Sequence, residues 1–224
     1  MLNPWNKLPT TPPYILDIDK SLVENNKAKF NEETELQFEL LPEPFLGNPL
    51  APVILLNLNP GYSPDDITYH QQPKFIELSR ANLNLQLLEY SFFLLNPSLS
   101  APGRDWWEKK LDSLIRDTSK EVVANNVLCV EYFPYHSKKF GHHKLQLQSQ
   151  EYSFHLVRQA IARNAVIVLM RSRKLWVTEV PELENYRFLF SVRSVQNPTI
   201  SPRNCPEGYT FIIKALNGKK EIST

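Results

Sequence analysis

Ala51-Pro-Val-Ile-Leu-Leu-Asn-Leu-Asn59, closed by Pro60-Gly61, decides the fold class. Its apolar side chains run on without alternation. A strand with one wet face would alternate, so this run reads as a strand covered on both faces, as in a parallel sheet. Downstream, Asn126-Val-Leu-Cys-Val-Glu-Tyr132, Ala165-Val-Ile-Val-Leu-Met170 and Phe188-Leu-Phe-Ser-Val192 repeat the pattern. Tyr209–Lys214 reads either as a fifth strand or as the core of a last helix. Helical periods lie between the strands. Residues 74–93 carry Leu83, Leu87, Leu88 and Phe92 on one stripe, and Asp105–Asp117 turns Trp107, Leu111, Leu114 and Ile115 inward. Ser149–Arg163 and Ser172–Val177 complete the set. Strands alternating with helices predict a three-layer α/β/α sandwich around a central, mostly parallel sheet of four or five strands. Residues 1–50, rich in Pro, Asn and Glu, read as an N-terminal arm packed on the 51–224 domain. A short helix is expected near Asn31–Leu40, capped by Asn31 with Glu32 and Glu33 in its first turn.

Composition narrows the function classes. A chain of 224 residues with 42% hydrophobic content can bury a core. The longest apolar stretches, Pro52–Leu58 and Ala165–Met170, fall short of the roughly 20 residues a membrane helix needs. The N-terminal sequence has no apolar signal region. Two cysteines, Cys129 and Cys205, are too few for a four-thiolate cluster or a disulfide framework. A cytoplasmic monomer with free thiols is expected. There is no GxxxxGK[ST], no GxGxxG and no GxSxG, and only six glycines occur. Nucleotide-cofactor and α/β-hydrolase chemistry are disfavoured on that ground. His136, His142, His143 and His155 gather near Cys129 in sequence, but without metal-ligand spacing, so neither metal nor cofactor is expected. Charge is segregated. Residues 1–135 hold 11 Lys and Arg against 18 Asp and Glu, a balance of −7, whereas residues 136–224 hold 14 against 6, a balance of +8. That is either a chance solvated surface or a basic face for a polyanion such as DNA.

In a parallel sheet the ligand binds beyond the carboxyl ends of the strands. Asn59-Pro-Gly-Tyr62, Phe133-Pro-Tyr-His136 and Val195-Gln-Asn-Pro-Thr-Ile-Ser-Pro202 are placed there. Asn59 and Asn197 each precede proline, which pushes them to extended geometry. An asparagine does not titrate, but it can hold a water through its carbonyl and donate through its amide. Each Asn-Pro is also an ordinary turn sequence. Gly61 permits close backbone approach. Asn59, Gly61, an asparagine of the 125–126 pair and Asn197 are expected to line one pocket. Lys138, Lys139, Arg171, Arg173, Lys174 and Arg203 are expected on the same face.

Taken together, these segments resemble the uracil-DNA glycosylase superfamily, in particular its mismatch-specific uracil/thymine branch. Leu55-Leu-Asn-Leu-Asn-Pro-Gly61 resembles the branch's strand and G-I-N-P-G motif, with Asn57 in place of the first glycine. Ala101-Pro-Gly-Arg-Asp-Trp-Trp107 resembles its P-x-N-R-F-W segment, with Gly103 where the asparagine would be. Asn125-Asn-Val-Leu-Cys-Val130 resembles the strand whose asparagine reads the base in other branches, and Gln196-Asn-Pro-Thr-Ile-Ser-Pro-Arg203 resembles the last motif, N-P-S-G-x-x-R. The resemblance implies hydrolysis of the N-glycosidic bond of a damaged or mismatched base in single- or double-stranded DNA, without a cofactor. It makes Asn59 the holder of the attacking water and Asn197 its catalytic partner. It places Gly61 and Tyr62 at the base, Phe93 (or Phe92) stacking on it, and Asn125 or Asn126 reading its edge. Thr199, Ser201 and Arg203 would bind the departing base and the phosphate, with Ile200 and Ser201 where the branch inserts a wedge into the duplex. Glu131 and His136 are further candidate participants. Two rivals remain: a non-catalytic nucleic-acid or nucleobase-binding module of the same fold, and an unrelated small-molecule enzyme.

Overall fold

The structure is a computed structural model and describes residues 1–218; residues 219–224, the end of the expected domain, lie outside the described residues. The helices are α1 (Asp17–Asn26), α2 (Pro64–His70), α3 (Pro73–Leu83), α4 (Pro102–Asp117), α5 (Lys120–Asn126), α6 (Gln150–Ala162), α7 (Arg173–Glu179) and α8 (Pro206–Leu216). The strands are β1 (Phe45–Gly47), β2 (Val53–Leu56), β3 (Val127–Val130), β4 (Val166–Leu169) and β5 (Leu189–Ser191). Prolines open α2, α3, α4 and α8, where the missing N–H costs nothing and the fixed φ suits the first turn.

The sheet runs β1-β3-β2-β4-β5, as a mostly parallel α/β sandwich requires. Val53–Leu56 pairs in parallel with Val127–Val130 on one side and with Val166–Leu169 on the other. All twelve of these side chains are buried, which is why the run does not alternate. Helix α5 packs against α4 and α8, and α8 lies against β2, β4 and β5, while α6 covers β3. The chain leaves β2 for β3 on one side and then crosses β2 to reach β4. The crevice at the carboxyl end of β2 is therefore the topological switch point.

The arm is more than a wrapping. Phe45–Gly47 adds an antiparallel edge strand to β3, and Trp5, Tyr14, Leu16 and Leu41 belong to the same core as the sheet. Gly47 has φ +110°, and a Cβ there would collide with the Val127 carbonyl oxygen, so only glycine fits this approach. Three local expectations change. Residues 31–40 hold no helix: Asn31 Oδ1 accepts from Glu33 N–H and Thr34 N–H in a turn, and the arm's helix is α1. The 74–93 helix stops at Leu83, with Leu85 in the left-handed region at φ 56°, Leu87 exposed and Phe92 buried from a separate segment. Tyr209–Lys214 is the middle of α8.

Candidate functional site

Loops from the three central strands meet in one cleft of about 560 Å³. Asn57–Ser63 come from β2, Glu131 and His136–Phe140 from β3, and Arg171 from β4. Glu43, His70, Phe75 and the α4 tryptophans Trp106 and Trp107 close the walls. Backbone bonds staple these loops together: Asn57 N–H donates to the Val130 carbonyl, Phe133 N–H to Leu58 and Met170 N–H to Leu56.

The orientation of Asn59 is determined by its neighbours. Its Nδ2 donates to the Pro60 carbonyl at 2.9 Å and to Ser137 Oγ at 3.0 Å. Ser137 Oγ in turn donates to the Lys139 carbonyl, so it can only accept from Asn59. Both acceptors demand the amide nitrogen, which leaves Oδ1 as the free acceptor on this cleft-lining residue.

Deeper in, Asn57 Nδ2 donates to Glu131 Oε1 at 2.9 Å, and the Cys129 thiol approaches the same oxygen at 3.7 Å. The Asn57 carbonyl is held from the other side by Trp176 Nε1 at 2.8 Å. Glu131 is 3% exposed, yet its Oε2 has no partner; neither do Asn57 Oδ1 and Arg171 Nε, both also buried. These three unpaired atoms lie sealed beneath the cleft on residues that line it, an arrangement that costs stability. Burial pushes the Glu131 carboxyl up to about 8, against the pull of Asn57, Cys129, Arg171 and the Leu58 amide. Glu43 is raised to about 8 as well, by loss of water first and then by repulsion from Glu131 and Asp66.

Glu43, His70 and His136 form a second group, with one candidate ligand atom from each within 4.8 Å of the others. His70 Nδ1 accepts from Leu41 N–H, so its ring is neutral and Nε2 carries the proton. Burial, and then His136, holds His70 well below the usual histidine value. His136 Nδ1 lies 2.6 Å from the Gly61 carbonyl and Nε2 lies 3.0 Å from the Leu41 carbonyl. Burial holds the His136 ring toward its neutral form, so one nitrogen donates to a carbonyl and the other keeps its lone pair. Its position between the Gly61 and Leu41 carbonyls ties the Gly61 loop to the arm.

The residues expected from the sequence divide. Asn59, Gly61 and Tyr62 line the cleft together, as do Lys138, Lys139 and Arg171. Lys138 and Lys139 pair with Glu32 and Glu33 of the arm. Asn125 and Asn126 stand at the amino end of β3, away from the strand mouth. Asn125 is occupied by Ser91 N–H and the Glu89 carbonyl, and Asn126 by the Val122 carbonyl. The residue that follows β3 at the mouth is Glu131. Phe93 is buried edge-to-face against Phe75 at 5.7 Å, and Phe75 rather than Phe93 reaches the cleft. Asn197 is exposed, and its Oδ1 accepts from Lys110 Nζ at 2.6 Å. Thr199 and Ser201 serve the turn through bonds to Asn204, Arg203 is exposed, and none of these four lines the cleft. Ile200 is fully buried and its N–H donates to the Lys110 carbonyl, so it is not a wedge. Arg173 and Lys174 are exposed on α7.

Sequence reasoning missed Glu43 and His70. Pro42-Glu43-Pro44 did carry a signal, a lone carboxylate inside the apolar stretch Leu40–Leu46. His142 proves structural: its ring stacks on Phe133 at 4.7 Å and Nε2 meets the Thr34 carbonyl at 2.7 Å. Among the described residues no helix is long and apolar enough to cross a membrane. No family model matches the chain, and no curated protein or solved structure matches it.

Proposed function

We propose that this protein hydrolyses the N-glycosidic bond of a nucleotide turned out of DNA into the cleft, in the manner of the uracil-DNA glycosylases that its motifs resemble. The observation that carries this reading is the locked amide of Asn59. Its carbonyl oxygen is the acceptor left over, at the mouth of the central strand, where a water would need to be held against C1′. Tyr62, Trp106 and Phe140 supply aromatic surface for a base on the same cleft. A flipped base is held in part by such stacking. Lys138, Lys139 and Arg171 on the cleft, with exposed Arg173, Lys174 and Arg203, provide cations for the phosphates of a single or double strand. The buried free thiols Cys129 and Cys205 fit a reducing compartment, so we read the protein as a cytoplasmic monomer.

In this reading the base departs as the C1′–N bond lengthens, and the water on Asn59 Oδ1 closes on the electron-poor sugar carbon. The asparagine orients the water and does not take its proton. The test is incubation with single- and double-stranded oligonucleotides carrying deoxyuridine, a thymine mismatch or deoxyinosine, followed by alkali to cut abasic sites. Strand cleavage in at least one is the expected result. Binding of DNA without release of any base makes the protein a binding module, and absence of both makes it a small-molecule protein.

A further inference from the structure

Three cations line the cleft, Lys138, Lys139 and Arg171, and the first two already have anions. Glu32 Oε1 stands 3.1 Å from Lys138 Nζ, and Glu33 Oε2 stands 2.5 Å from Lys139 Nζ. Both acids belong to the N-terminal arm, so the half of the chain with a balance of −7 meets the half with +8 at this rim. An isolated surface ion pair would say little, since such pairs form readily and add little stability. Here the acids do not depend on the pairs for their placement.

The backbone delivers them. Asn31 Oδ1 accepts from the Glu33 and Thr34 N–H groups and closes a turn over residues 31–34. Lys139 N–H donates to the Glu33 carbonyl at 2.7 Å, and Gln37 N–H donates to the His136 carbonyl at 3.0 Å. His142 Nε2 lies 2.7 Å from the Thr34 carbonyl, and the Phe30 ring packs edge-on against His142 at 5.1 Å. These contacts pin the turn to the loop that follows β3 and set two carboxylates beside two lysines of the cleft. The charged tips stay loose: the Glu32 side chain is 87% exposed and that of Lys139 73%. They can exchange partners while the backbone remains docked.

A carboxylate oxygen on a lysine takes the place that a phosphodiester oxygen would take. We propose that the 31–34 turn is a built-in competitor for the nucleic-acid backbone, which keeps Lys138 and Lys139 occupied until a strand displaces Glu32 and Glu33. The proposal rests on the reading of the cleft as a DNA site and adds a regulatory contact to it. A strand that reaches the two lysines exchanges one ion pair for another at each, so they contribute little net affinity while the glutamates are present. Chance contacts with polyanions are thereby suppressed, and a strand must also be held by the rest of the cleft to overcome the arm.

The experiment measures binding of a fluorescent single-stranded oligonucleotide over a range of salt, by wild type and by the double variant Glu32→Gln with Glu33→Gln. The double variant should bind roughly tenfold more tightly at about 0.1 M salt, and its salt slope should steepen by about 0.7 for each lysine released. Glu35→Gln with Glu39→Gln removes two other exposed acids of the arm, neither bonded to a cleft lysine. That control should change affinity less than about threefold, because charges out of contact are screened by salt. Adding Lys138→Ala and Lys139→Ala to the first variant should abolish its gain, since the two pairs are coupled. Unchanged or weaker binding by the Glu32 and Glu33 variant overturns the proposal and leaves the DNA reading standing. So does an equal gain from the control, which would reflect net charge alone, and so does a gain that survives loss of the lysines. Absence of DNA binding by wild type and every variant overturns both.

Discussion

Two Asn-Pro dipeptides, Asn59-Pro60 and Asn197-Pro198, look equivalent in the sequence and are not equivalent in the molecule. Asn59 follows the central strand, and its amide is locked by Pro60 and Ser137 on the wall of a cleft. Asn197 follows the edge strand by several residues, is exposed, and turns its side-chain oxygen to Lys110 Nζ. The polar residue that organises that second loop is Asn204. Its Oδ1 accepts from Ser194 N–H at 2.8 Å and its Nδ2 donates to the Thr199 carbonyl at 2.8 Å. The same dipeptide gains or lacks a role according to how many neighbouring strands end beside it. Asn59 has loops from β3 and β4 on its two sides, whereas β5 pairs only with β4. One link joins the two regions: Lys110, the partner of Asn197, also lies 5.1 Å over the Trp106 ring that lines the cleft.

The largest difference between the two should appear in base release. Asn59→Ala is expected to lower it roughly 10²–10³-fold with little change in DNA affinity, because the lost contact matters in the transition state. Asn197→Ala should change it less than about threefold, as an exposed site outside the cleft lining. Equal losses in matched single-turnover assays would dissolve the distinction.

Stability against pH separates the regions next. Glu43 and Glu131 are raised to about 8 from an ordinary 4.5, so between these values the folded chain binds more protons than the unfolded one. Their contribution is fully present below about 4.5 and is lost as the pH rises through about 8. Thermal melts should therefore show Tm falling across that window. Glu131→Gln should flatten the fall and Asn204→Ala should leave its slope unchanged. A wild-type melt independent of pH would mean that the two acids are ionised in the fold.

Asn204→Ala leaves the Ser194 N–H and the Thr199 carbonyl without their partners, and about 1–3 kcal/mol of stability should go with them. Chemical denaturation measures this. Base release below the new Tm should be retained, which keeps the loop a scaffold. The smallest effect concerns the exposed cations. Replacing Arg173 and Lys174 by alanine should reduce the salt slope of single-strand binding by about 0.7 for each phosphate contact removed. Fluorescence titrations over a range of salt would show an unchanged slope if these residues point away from bound DNA.

The cleft's composition was only partly legible before the fold was known. The Asn59-Pro-Gly-Tyr62 segment announced itself because it ends an uninterrupted apolar strand, and such a strand ends where ligands bind. Glu131 was visible as the lone carboxylate inside the second apolar run, Asn126–Tyr132, and the strand itself stops one residue before it. Asn125 and Asn126 misled for a related reason: they flank the same strand at the other end, and only the direction of the strand in the sheet tells the two ends apart. Leu87 misled in the 74–93 helix, since a 3.6-residue stripe is compatible with a chain that has already turned out of the helix at Leu85. β1 is three residues long, too short to carry any period.

What the sequence alone determined is the set of local choices: buried parallel strands at Val53–Leu56, Val127–Val130 and Val166–Leu169, helical stripes within α3, α4 and α6, and turns rich in asparagine. These follow from side-chain period and backbone sterics within a few residues, so they can be read without a partner. Only the tertiary structure decided that Glu43, Asn57, Glu131 and Arg171 share one floor, because they stand far apart in sequence and meet through the strand order β1-β3-β2-β4. The weakened acidity of Glu43 and Glu131 and the unpaired Oε2 belong to that meeting. Both arise from the exclusion of water by neighbours that no local pattern names.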